Sequence, residues 1–387
     1  MSILLAENAE DFSLVEGDKL ILTDRSDNAV YAAIPSDRLT VSGSSNTSET
    51  YALSIRYIRG VDSDYPDDRW PAVCRQSNTS AVASTPRYMF MYPTGISVSS
   101  HDKYCFSIRI RPGVKSGVAE DVLRISVGKY SQVIAAVNQN GAMYINVAAT
   151  GSNTAKKTDV PTSLFSFYAQ KEHRLELVCT KSGTGCIVEI YNNNIKLGTT
   201  YSNANSGSTV VMIGASSPSA NLTATSTDQP LFYFRDMAVI KLDGVGYSGR
   251  LGSSFYIDKH LPTSDITTDW DGDKPHYAAM AANMPVSNPK SISTNNENSR
   301  EVFGFSGGNT KGVKVAAVGV DMLLRNSGTT TVPVALTFNN AEATVLTLAP
   351  SKSANGIVEI PKNPTTAAEW KPNELDSFTS GMTVKET

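Results

Sequence analysis

The residues best suited to chemistry crowd into one polar stretch, 60–84. Asp62, Asp64, Asp67 and Asp68 fall there around Tyr65, Pro66 and Trp70. Closely spaced carboxylates are hard oxygen ligands, and the run is compatible with calcium. The plain alternative is an acidic loop held in water. Tyr65 and Trp70, with Tyr88 and Tyr92 further on, could form an aromatic platform for a sugar ring. The same residue types are also the ordinary core and interface anchors of β-sandwiches. A second acidic run, Asp269-Trp270-Asp271-Gly272-Asp273, alternates carboxylates about a glycine but lacks the later bidentate Glu of an EF-hand, so an Asx turn is the simpler reading.

Other chemistries find little footing. His101, His173, His260 and His276 are scattered, with no HExxH spacing and no Ser-His-Asp logic, and read as surface or hydrogen-bonded structural histidines. Retaining glycosidases of sandwich type need paired carboxylates two residues apart on one strand. Here Glu176 and Glu189 each stand alone and are expected on solvated strand faces. Cys74, Cys105, Cys179 and Cys186 have no CxxC spacing, so a zinc site is unsupported. Cys179 and Cys186 flank a hairpin turn, where a disulfide could form; a reduced, buried pair is the preferred reading. Gly307-Gly308 is only a turn. No cofactor is expected, calcium apart.

Composition narrows the class. The formal net charge is -3, the pI about 5.9, and only 18% of residues are charged. A nucleic-acid binder needs a basic surplus, which this chain does not have. Its polar surface comes from 45 Ser, 35 Thr and abundant Asn, the profile of a turn-rich all-β protein. No stretch approaches the ~18 apolar residues of a membrane span. The opening Met1–Asn8 has no basic n-region, so synthesis in a cytosol without general secretory export is expected.

Period-two alternation then marks the elements. Strands are expected at 12–15, 19–23, 51–59, 87–91, 104–111, 122–127, 132–137, 143–147, 174–180, 187–191, 209–214 and 232–242, with 60–84 a long loop. A boundary falls after Leu242. In the second part strands are expected at 301–305, 313–325, 332–338, 345–348, 357–360 and 381–385. The near-continuous apolar run of 313–325 predicts a central strand covered on both faces. An ordered segment is expected at 277–284 and a helical turn at 365–370.

Two resemblances add to this. The segment from His173 to Thr180, the Ser182-Gly183-Thr184-Gly185 turn, and Cys186 through Tyr191 to Gly198 resemble the paired strands of concanavalin A-like, laminin G-like jelly rolls. Phe232–Leu242 is similar to that family's late strand, and Tyr104–Arg111 suits an early one. Residues 265–387 resemble a β-sandwich module of tailed-bacteriophage virion proteins. That likeness rests on Asp271-Gly272-Asp273, Phe303-Gly304-Phe305, the 312–320 strand, Asn363-Pro364, Trp370 and Gly381–Val384. It departs only in lacking a Gly after Asn363-Pro364-Thr365.

The resulting expectation is an all-β chain with an attachment or oligomerisation segment (1–44), a laminin G-like jelly roll (45–245), a linker (246–264) and a C-terminal β-sandwich (265–387). The resemblances imply a non-enzymatic virion protein of the tail or an appendage, with capsid decoration second, assembled in a host cytoplasm. Its implied partners are other virion proteins, further copies of itself and a host-surface glycan, with no nucleic acid and no membrane insertion. A carbohydrate-binding adhesin is the competing class.

Overall fold

A computed structural model describes residues 2–7, 19–21, 30–33, 39–44, 53–59, 69–75, 87–93, 102–113, 121–128, 133–152, 154–169, 172–203, 211–217, 229–242, 250–258, 260–281, 291–307, 315, 318–360 and 362–386. The chain is all-β and divides into two compact units, Leu4–Ile257 and Asp258–Thr387 with Met1–Ile3.

The first unit contains β1 (Ser2–Glu7) from Leu4 on, β2 (Lys19–Ile21), β3 (Val30–Ala33), β4 (Leu39–Ser44), β5 (Leu53–Arg59), β6 (Arg69–Arg75), β7 (Arg87–Pro93), β8 (Lys103–Pro112) and β9 (Asp121–Val127). Then follow β10 (Val133–Asn138), β11 (Met143–Ala148), β12 (Ala155–Asp159), β13 (His173–Ser182), β14 (Gly185–Asn192), β15 (Ile195–Ser202), β16 (Val211–Ser217) and β17 (Gln229–Lys241). They form two antiparallel sheets. One runs β15-β14-β13-β8-β17-β6-β5-β2, with β1 also on β17; the other runs β12-β11-β10-β9-β16-β7-β4-β3. This is the jelly-roll sandwich that the first resemblance implies.

Alternation decides what lies between the sheets. Tyr104, Phe106, Ile108 and Ile110 of β8 share one core cluster with Leu175, Leu177 and Cys179 of β13 and Cys186, Val188 and Ile190 of β14. Leu123, Ile125 and Val127 of β9 and Val211, Ile213 and Ala215 of β16 supply the facing side. Cys179 pairs in register with Val188, and Cys186 with Lys181. The two cysteines are therefore diagonal neighbours on the core face, and both are buried free thiols.

Three sequence expectations change here. Residues 60–84 are not all loop: β6 lies between β5 and β17, with Ala72 and Val73 fully buried. Pro71 hides the strand in the sequence, yet the pairing with β17 stops at Ala72, so a residue with no amide hydrogen sits where a ladder ends. The 1–44 stretch is not set apart, since β2, β3 and β4 extend the two sheets. Residues 250–257, placed in a linker, belong to the first unit.

The second unit holds β18 (Pro262–Thr268), α1 (His276–Ala281), β19 (Arg300–Ser306), β20 (Val318–Arg325), β21 (Val332–Phe338), β22 (Ala341–Leu348), β23 (Ser353–Ile360) and β24 (Ser377–Val384). A five-stranded sheet runs β18-β19-β24-β21-β22, and β20 pairs only with β23 among the described residues. The apolar run of β20 is thus half of a two-stranded ribbon, not a central strand. Val318 and Val320 pack on the cluster of Phe338, Ile360, Trp370 and Leu375, while Met322 and Leu324 pack with Val334 and Leu348. Gly319 faces out. The segment 365–370 is turn, and its one helical turn comes later as a 3-10 helix, Pro372–Leu375.

The two units share a hairpin device. β14–β15 and β21–β22 are each joined by Asn-Asn with both residues at positive φ (45° and 72° at Asn193-Asn194, 47° and 65° at Asn339-Asn340), as a two-residue hairpin turn requires. In each pair the first Asn also ties down a third strand. Asn193 Oδ1 accepts from Arg174 N (2.8 Å) and its N donates to Arg174 O. Asn339 does the same with Thr379.

Gly381 marks a tight backbone approach in the second unit, since a Cβ there would stand 2.2 Å from Glu301 O on the neighbouring strand. Gly381→Ala is expected to destabilise the second unit by about 1–3 kcal/mol through overpacking. Calorimetry should show its transition falling while that of the first unit stays put.

Candidate functional site

Asp62, Asp64, Tyr65, Asp67 and Asp68 lie outside the described residues. Trp70 lies on β6 of the first sheet, paired with Ile58, whereas Tyr88 and Tyr92 lie on β7 of the second, opposite Ser44 and Thr40. In the second acidic run Asp269 Oδ2 accepts Arg300 N (2.9 Å), and the backbone of Asp271 bridges to Ser293. Among the described residues no group of three or more His, Cys, Asp or Glu is placed to hold a metal ion.

The structure assembles a different polar site, on the outward face of the first sheet. Strand register sets Arg174 opposite Arg109 and Arg109 opposite Arg235, so three guanidinium groups form one row across β13, β8 and β17. Like charges directly opposite one another destabilise a sheet. A β-bulge supplies the counter-charge. The β17–β8 register breaks between Arg235 and Ala238, and Asp236 sits in the break with φ 48°. Core-facing residues of β17 switch there from Phe232 and Phe234 to Met237 and Val239. The fully buried Asp236 carboxylate lies 3.2 Å from Arg109 Nε, 3.4 Å from Arg235 Nε and 3.6 Å from Arg174 Nη2. All three contacts are to Oδ2, and neither oxygen has a hydrogen bond. Arg174 is 1% exposed, and burial together with the neighbouring Arg109 pulls its pKa down to about 10.

Glu176 overturns an expectation. It is fully buried rather than solvated. Two residues along β13 from Arg174, it faces outward from the core, and the segment 250–257 covers it. Arg250 Nη1 (2.8 Å) and Gly252 N (3.0 Å) both donate to its carboxylate. Arg250 also stacks over the Tyr191 ring, 3.9 Å from its centroid. Further along, the carbonyl of Phe255 accepts from Arg109 Nη2 (2.9 Å) and from Arg174 Nη2. Asn194 Nδ2 donates to Ser253 Oγ. The segment is a strap, clipped to the sheet by the charges beneath it. Glu189, by contrast, is partly exposed and pairs with Lys196.

The described histidines are structural. His173 is buried, with one ring nitrogen on Asn192 Oδ1 (3.1 Å) and the other on Phe167 O (3.0 Å); burial lowers its pKa. His260 contacts Asp258 (3.2 Å) and Ser306 O, and the Asp258 carboxylate raises its pKa. His276, buried in the second unit, meets Glu301 at 2.8 Å. Asp265 caps the start of α1 by accepting from His276 N and Tyr277 N. Burial raises the Glu301 pKa.

No protein-family model and no curated protein matches the chain. Solved structures give distant likenesses. A sialidase aligns at 9% identity and TM-score 0.31 over 52% of this chain, which spans 17% of the sialidase's length. A carbohydrate esterase of the Shiga toxin-encoding bacteriophage phi24B aligns at 8% and 0.32 over 61% of this chain and 98% of that one. The receptor-binding domain of a botulinum neurotoxin C/D mosaic serotype aligns at 10% and 0.30 over 96% and 94%. At these scores the likenesses carry no argument about function.

What the outer-face site does chemically is hold the strap. Asp236 shares Arg109 with Glu172, whose Oε1 lies 3.1 Å from the same Nε, and Glu176 is closed by Arg250 and the Gly252 amide. Removing one partner of a buried pair costs about 3–5 kcal/mol, because the other charge is left uncompensated. Arg174→Met is therefore expected to lower first-unit stability by that order and to speed hydrogen exchange at the Gly252 amide.

The two shifted histidines have opposite pH signatures. His173 is held below its unfolded value, so the unfolded chain binds more protons; its contribution is full above pH ~6.5 and is lost as pH falls through that value toward the folded pKa. His260 is held above its unfolded value, so its contribution is full below pH ~6.5 and is lost as pH rises through the folded pKa. Between pH 5 and 8, calorimetry should find His173→Gln flattening the acid-side loss of the first unit. His260→Gln should flatten the alkaline-side loss of the second.

Proposed function

We propose that the chain is a non-enzymatic structural protein of a tailed-bacteriophage virion, placed in the tail or a tail appendage and acting through multivalent contacts with its neighbours. The observation that carries this reading is the part played by the residues on which the phage-module resemblance rests. Asn363 is buried, its side-chain oxygen accepting Thr365 N (2.9 Å) and its backbone bonded to Ala367 and Ala368. Trp370 Nε1 donates to Ile360 O (2.7 Å), and its ring meets Phe338 edge-on at 4.7 Å. Gly381 admits the close approach of β19. Residues scattered through the sequence are thus the fixtures of one small sandwich, as expected if they define a module.

Two further features support the reading. Glu176, the acid best placed on a central strand, is sealed under the strap and available to no substrate. The chain is poor in charge and rich in Ser, Thr and Asn, a composition that suits many weak protein contacts summed by avidity. Immunogold microscopy with an antibody to the chain should label the tails of purified particles of the encoding phage. Absence of the chain from purified particles would overturn the proposal. A glycan array probed with the assembled protein asks separately whether host attachment is added to the structural role.

A further inference from the structure

A strand at the end of a sheet leaves a row of unpaired N–H and C=O groups that invites another chain, and proteins ordinarily block it with charge, proline, bulges or a covering element. The described edges of this chain differ in that respect. β12 is fully exposed and reads Ala-Lys-Lys-Thr-Asp, and a twofold self-pairing would set Lys157 against its own copy. β15 is tied to β11 of the facing sheet, since Thr200 Oγ1 donates to Asn146 O and accepts Ala148 N. β18 opens on Pro262, breaks register with β19 twice and has α1 packed against it.

β22 has none of this over most of its length. It closes the five-stranded sheet at the end opposite β18 and has β21 as its one hydrogen-bonded strand partner among the described residues. Its single register shift and its single charge, Glu342, both lie at its start, and Glu342 is already paired with Lys385 at 2.8 Å. The rest, Thr344-Val345-Leu346-Thr347-Leu348, is regular, uncharged, rich in strand-forming residues and free of proline. Leu346 and Leu348 pack inward, while Val345 is 44% exposed and Thr347 is also exposed.

We infer that the β22 edge is an interaction surface whose occupant is a second copy of this chain, paired antiparallel about a twofold axis through Leu346. Self-complementarity selects that partner. In an antiparallel pair, directly opposite residues point to the same side of the sheet, so a perpendicular twofold must pass through a residue. With the axis at Leu346, Val345 meets Thr347 of the other copy and Thr344 meets Leu348. No like charges are opposed, and both inner faces stay continuous. Two five-stranded sheets become one of ten. The pairing is independent of virion location, because an adhesin could use the same edge.

The test is a charge exchange on the full chain. The wild type should sediment as a dimer or higher even-numbered oligomer at micromolar concentration. Val345→Lys/Thr347→Lys puts like charges directly opposite across the axis and should weaken association about tenfold or more. Val345→Glu/Thr347→Glu should weaken it equally, and a one-to-one mixture of the two variants should associate again. Val147→Lys, at an exposed position in the first unit, should change nothing. Circular dichroism checks that each variant is folded. A monomeric wild type, or an oligomer that neither double variant weakens, overturns the inference. So does loss of association in both variants that mixing does not restore.

Discussion

Three arginines stand directly opposite one another across β13, β8 and β17, and a sheet does not hold such a row without a counter-ion. Asp236 provides it from within the same sheet, but only because β17 carries one extra residue at that point. The bulge costs a non-glycine residue at positive φ, a strain of order 1 kcal/mol. It also reverses the parity of β17, so Phe232 and Phe234 face the core before it while Met237 and Val239 do so after it. A single electrostatic requirement thereby fixes the register of the longest strand and the identity of its core residues.

The same row reaches beyond the sheet. A buried ion pair contributes little net stability, and well-packed apolar residues would often serve as well. Here the charged floor anchors the strap 250–257: the Phe255 carbonyl lies between two guanidiniums, and Arg250 and Gly252 N close on Glu176. Directional charge-assisted bonds place an irregular segment none of whose residues is fully buried. The second unit meets a comparable need with neutral groups. Asn339 holds β24 from a hairpin turn, and the Trp370 indole holds β23 by its carbonyl. Neither unit relies on hydrophobic burial alone to fix where an irregular segment goes.

Much of the fold is legible in the residue pattern. The alternation of Tyr104–Arg111, Arg174–Thr180 and Ile187–Tyr191 is the core alternation of β8, β13 and β14, and the Asn pairs mark tight hairpins. β6 escapes notice because Pro71 and its flanking arginines mask two buried residues. β20 misleads because an apolar run long enough for a central strand also suits a ribbon whose ends pack on two separate clusters. For the site the signal is fainter. Arg109, Arg174 and Arg235 each interrupt an apolar strand, which hints at an unusual partner, but nothing in one strand's sequence tells which strand lies beside it.

By itself the sequence determined class and local conformation: an all-β chain, its hairpins, most of its strands and the buried face of each. These follow from side-chain alternation and turn chemistry, which act between residues close along the chain. Tertiary structure alone decided that Arg109, Arg174 and Arg235 form one row, that Glu176 is sealed rather than solvated, and that 250–257 is a strap. It also decided that β22 ends its sheet without the charge, covering contacts or proline that guard β12, β15 and β18. Each of these depends on register between strands tens to more than a hundred residues apart, and register is set by packing and charge balance across the whole sheet, not by any segment read alone.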